Sequence, residues 1–68
     1  GAMNEEIDLE KKLFWLREQH AALDRTIDEL AKSSFGDQLQ LHRLKRERLA
    51  LRDEISTLED ILYPDIIA

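Results

Sequence analysis

Apolar residues recur along this chain at alternating three- and four-residue intervals, in two series, and charged or polar residues fill most positions between them. The first series is Leu9, Leu13, Leu16, His20, Leu23, Ile27 and Leu30; the second is Leu41, Leu44, Arg48, Leu51, Ile55, Leu58 and Leu62. Such spacing lays one narrow stripe along a helix, the a/d seam of a coiled coil. Neither Gly nor Pro interrupts residues 5–32, so the first helix is expected over about residues 5–33. Asn4 is its expected N-cap, and Glu5, Glu6, Asp8 and Glu10 oppose the positive end of the helix dipole. Residues 34–37 read as a loop, with Gly36 suited to a left-handed stop, Asp37 to the next N-cap and Gln40 to a capping box. The second helix is expected over about residues 38–62, since Pro64 disfavours helical geometry at Tyr63. Residues 63–68 form a short tail, and Gly1-Ala2 reads as a protease-cleavage remnant ahead of Met3.

A connection of this length joins antiparallel neighbours, and the residue numbers test that idea. Leu30 with Leu41, Ile27 with Leu44, Leu23 with Arg48, His20 with Leu51, Leu16 with Ile55, Leu13 with Leu58 and Leu9 with Leu62 all sum to 71. Each layer then sets an a position against a d position, as antiparallel packing requires. The fold class expected is all-α, an antiparallel two-helix coiled-coil hairpin. A subunit-swapped dimer would give the same list of facing pairs.

More apolar surface remains than two helices bury. Ile7, Phe14 and Ala21 repeat every seven residues on one flank of the first seam, with Leu49 on the same side of the second helix. Trp15, Ala22 and Ile61 lie toward the other flank. A chain of 68 residues without cysteine lacks both disulfides and thiolate metal sites, so oligomerisation is the stabilising device left to it. These flanking residues, Ile7, Phe14, Trp15, Ala21, Leu49 and Ile61, are therefore expected to form an oligomer or partner surface. Its simplest use is a two-fold dimer forming a four-helix bundle, and its sharper use is docking of an unidentified protein partner.

His20 and Arg48 are the polar exceptions in the two seams. Asp24 lies one turn after His20 and flanks the seam beside Arg48, which predicts an Arg48–Asp24 ion pair with His20 close enough to share the carboxylate. As chemistry, the trio would be a pH-sensitive element or half of a metal site shared between subunits. As structure, it fixes register at some cost in stability, and this reading outweighs the first. No glycine-rich phosphate loop or nucleophile–base arrangement is present, so neither catalysis nor a cofactor is expected.

Charge modifies the picture at one place. The chain carries −5 overall, yet residues 43–52 hold Arg43, Lys45, Arg46, Arg48 and Arg52 against Glu47 alone. Such a run could track a phosphate backbone through Arg43, Lys45, Arg46 and Arg52. The acidic remainder, the lack of interleaved aromatics and the use of Arg48 in the seam rank nucleic acid below a protein partner. No stretch is apolar enough to span a bilayer, and a cytoplasmic location is expected. Tyr63, Pro64, Ile66 and Ile67 in the tail either fold back near the open end or form a short linear motif.

Two stretches carry a family likeness. His20-Ala21-Ala22-Leu23-Asp24-Arg25-Thr26-Ile27, followed by residues 44–55 (Leu-Lys-Arg-Glu-Arg-Leu-Ala-Leu-Arg-Asp-Glu-Ile), resembles the small bacterial YdcH-like proteins, a family without an assigned function. The likeness covers about residues 13–58, and His20, Asp24, Arg48, Asp53 and Glu54 coincide with its motif. The build is also similar to SlyX-like coiled-coil proteins. The resemblance implies a small cytoplasmic helical protein from a proteobacterium and lends no activity, substrate or cofactor.

Overall fold

The computed structural model describes residues 2–33 and 37–64, with the side chains from Glu5 onward. Its two helices, α1 (Ala2–Lys32) and α2 (Gln38–Leu62), pack along their lengths as an antiparallel hairpin. The molecule measures 50 × 28 × 15 Å, elongated as two side-by-side rods of this length require. Among the described residues, no helix is long and apolar enough to cross a membrane.

Burial follows the seam. All fourteen seam positions are buried or half-buried, and Glu59 is the one other described residue that is not exposed. Leu13, Leu16 and Leu58 form the core, with Leu9, Leu51, Ile55 and Leu62 packed against it. These are the layers set by facing residues that sum to 71. Ile27 is buried separately, nearer the loop. Two helices meet along one line, so this core is a strip: among the described residues Leu13, Leu16, Ile27 and Leu58 are the buried ones.

Local signals account for the helix ends, with one correction. α1 begins at Ala2, so Asn4 lies inside its first turn rather than capping it. Ala2 and Met3 are strong helix formers and carry the helix back past the asparagine. At α2 the expected cap forms: Asp37 is extended, and its carboxylate accepts a 3.0 Å hydrogen bond from the Leu39 N–H. The return bond from the Gln40 side chain, the other half of a capping box, does not form. Gly36 lies outside the described residues. Tyr63 leaves helical geometry at φ −130°, ψ 69°, as the residue before a proline should, while its N–H still donates to the Glu59 carbonyl at 2.7 Å. Thr26 and Thr57, both inside helices, satisfy their hydroxyls by donating to the carbonyls of Ala22 and Asp53 four residues back.

Candidate interaction surface

The register that aligns the seams also sets which charges face each other beside it. Arg48 replaces a seam leucine, and its long side chain reaches out of the stripe to Asp24, with Nη1 donating to Oδ1 at 2.7 Å. The expected ion pair is therefore present. Its carboxylate is more than half exposed and Arg48 about one-third, so neither charge is taken fully out of water. His20 borders the same depression but makes no hydrogen bond to Asp24. Among the described residues, no three His, Cys, Asp or Glu side chains converge as metal ligands would.

A second inter-helix pair had no place in the seam reading. Arg17 donates to Glu59 Oε2 at 2.7 Å, one step outside the seam on the same side as Asp24. Both are flanking positions of opposite charge, but they sum to 76, so the facing-pair arithmetic, which sets Arg17 level with Glu54, does not single out Glu59. Lys32 pairs with Asp28 one turn earlier in α1 at 3.1 Å, a local contact on an exposed surface.

Between the helices on this flank lies an open groove of about 690 Å³, lined by Arg17, His20, Asp24, Lys45, Arg48, Leu49, Arg52 and Ile55. It is polar-walled with an aliphatic floor, and Asp24 is the one acid among four cations. Lys45, Arg48 and Arg52 of the basic run thus share one side. Arg43 and Arg46 are exposed elsewhere on α2 and do not border the groove. On the opposite flank a shallower depression of about 360 Å³ is bounded by Lys12, Leu16, Asp53, Glu54, Thr57 and Leu58. Neither is a closed cavity able to strip water from a small substrate.

The flanking apolar residues stand where the spacing put them, in solvent. Phe14 is 66 % exposed, Trp15 57 %, Leu49 58 %, Ile61 58 % and Ile7 45 %. Ala21 is exposed as well. Leu39, at 70 %, joins them on the outer face of α2 and was not singled out by the pattern. Tyr63 is 57 % exposed beside Pro64, whereas Ile66 and Ile67 fall outside the described residues.

No curated protein and no solved structure matches this chain. A family of proteins of unknown function matches residues 15–59, a span that holds the polar seam layer, both cross-helix ion pairs and the whole basic run. The chain belongs to that family, DUF465.

Proposed function

We propose that this protein is a non-catalytic protein–protein interaction module, a small adaptor or regulatory hairpin that self-associates and docks a partner through its apolar flanks. The observation that carries the proposal is the contrast between core and surface. Among the described residues four hydrophobic residues are buried, while Phe14, Trp15, Leu49 and Ile61 each stand more than half exposed on the two flanks. Singly exposed apolar residues are ordinary; large ones grouped on either side of a thin core mark contact surfaces. The likeness to YdcH-like proteins overlaps the family span and fits a small cytoplasmic protein without an active site.

A nucleic-acid role through Arg43, Lys45, Arg46 and Arg52 has less behind it. Arg48 is tied to Asp24, Arg43 and Arg46 point away from the groove, and the chain as a whole is acidic. Sedimentation equilibrium across a wide concentration range tests the main reading. A mass rising from one chain to two supports it, and a monomer at several hundred micromolar removes self-association. Fluorescence-polarisation titration with duplex DNA and with RNA at low salt separates the alternative, which requires salt-dependent binding.

A further inference from the structure

We infer that the surface bearing the Arg17–Arg52 groove is the self-association face, and that it takes a second copy of this chain running in the opposite direction. The inference rests on the self-association reading and adds face, direction and register to it.

Helical geometry collects one set of residues on this side. α1 contributes Ile7, Glu10, Phe14, Arg17 and Ala21; α2 contributes Leu49, Arg52, Ser56, Glu59 and Tyr63. The groove confirms the sharing, since Arg17 of α1 and Leu49 and Arg52 of α2 line it together. Trp15 and Ile61 sit on the other flank. A face-to-face pair of hairpins has two symmetric solutions, with loops at the same end or at opposite ends.

Charge chooses between them. With loops at the same end, each α1 packs against the partner's α2 at equal height. Glu10 then meets the other copy's Glu59 and Arg17 its Arg52, two like-charge contacts that outnumber the one favourable pairing at the same offset, Asp24 with Lys45. With loops at opposite ends, α1 packs on α1 and α2 on α2. A two-fold axis through Phe14 brings Glu10 to the other copy's Arg17 and Ile7 to its Ala21. The internal register sets Ser56 nearly level with Phe14, so the same axis passes Ser56. It brings Glu59 to the other copy's Arg52 and Leu49 to its Tyr63. One axis therefore satisfies both helices, apolar against apolar and acid against base.

The pairing also covers Phe14 and Leu49, gives Arg52 a partner it lacks among the described residues, and leaves Trp15 and Ile61 outward on both copies.

The chain has no cysteine, so a single introduced thiol reports one position. Ser56→Cys keeps every apolar residue of the face and is expected to cross-link to itself with a short bismaleimide, giving a covalent dimer that retains full helicity. Trp15→Cys should remain monomeric on a denaturing gel. Arg52→Glu should weaken dimerisation at least tenfold, and adding Glu59→Arg should restore it. A dimer by sedimentation in which Ser56→Cys fails to cross-link while Trp15→Cys succeeds overturns the face but leaves self-association standing. Joining of Ala21→Cys to Leu49→Cys in a mixed sample, without Ser56 self-linking, overturns the direction. A monomer in every arm overturns the pairing together with self-association and gives the face to a different protein.

Discussion

Arg48 crosses from the second seam to Asp24 on the first helix, closing a 2.7 Å ion pair at a kind of position that, His20 apart, the seams fill with leucine and isoleucine. The pair stabilises weakly, because both charges keep contact with water, and its expected role is to hold register. Replacing Arg48 and His20 with leucine extends the apolar strip through the middle of the hairpin. Complete burial of a leucine contributes roughly 1.5–3 kcal/mol, so two half-buried ones should contribute about 1 kcal/mol each. Loss of the ion pair offsets roughly 0.2–1 kcal/mol of that gain. The melting temperature of the His20→Leu, Arg48→Leu variant should rise by several degrees while its oligomer distribution broadens. Circular-dichroism melts and sedimentation velocity check both halves, and a large fall in melting temperature would contradict the register role.

Core and flank should respond oppositely to truncation. Leu16 is 1 % exposed at the centre of the strip. Leu16→Ala should cost about 2–5 kcal/mol, comparable to the whole stability of so small a domain, and leave the chain largely unfolded in dilute buffer. Leu39→Ala removes a side chain that is 70 % exposed and should shift stability by less than about 0.5 kcal/mol. Urea titrations of the two variants give the comparison directly.

The seam was legible because the helix period leaves few choices: with leucines three and four apart, every burial-competent position lies on one line. The antiparallel register followed from matching two such lines through a short loop, and the Arg48–Asp24 pair followed from the register. Glu59 was missed because a charged flanking residue does not announce which residue of the other helix it reaches; it meets Arg17 beside the seam. Asn4 misled because a good capping residue caps only when the preceding residues are poor helix formers. The exposed flanks were legible as apolar positions outside the seam, but spacing alone cannot say what covers them. That depends on surface charge, which becomes readable only once the helices are aligned.

The start of α2 rests on a single side chain. Asp37 accepts from Leu39 and also lies at the positive end of the helix dipole. Asp37→Ala should destabilise the hairpin by about 1 kcal/mol, and Asp37→Asn, which retains the acceptor, by less. Gln40→Ala should be nearly silent, since no capping-box return bond forms. Equal losses at positions 37 and 40 in chemical denaturation would show that the box closes in solution.

The Arg17–Glu59 pair lies in the open, with side chains 52 % and 43 % exposed, which limits how much it stabilises a single hairpin. A double-mutant cycle with Arg17→Ala and Glu59→Ala, measured at concentrations low enough to keep the chain monomeric, should give a coupling of no more than about 1 kcal/mol. The coupling should shrink in 1 M salt, where charges are screened within roughly 3 Å. Repeating the cycle at high concentration is the informative step. If the opposed pairing holds, Arg17 and Glu59 each gain a partner on the second copy, and the apparent coupling grows with concentration. Coupling that stays constant while the chain dimerises would place both residues outside the contact, since a buried or bordering ion pair cannot be indifferent to the arrival of neighbouring charges.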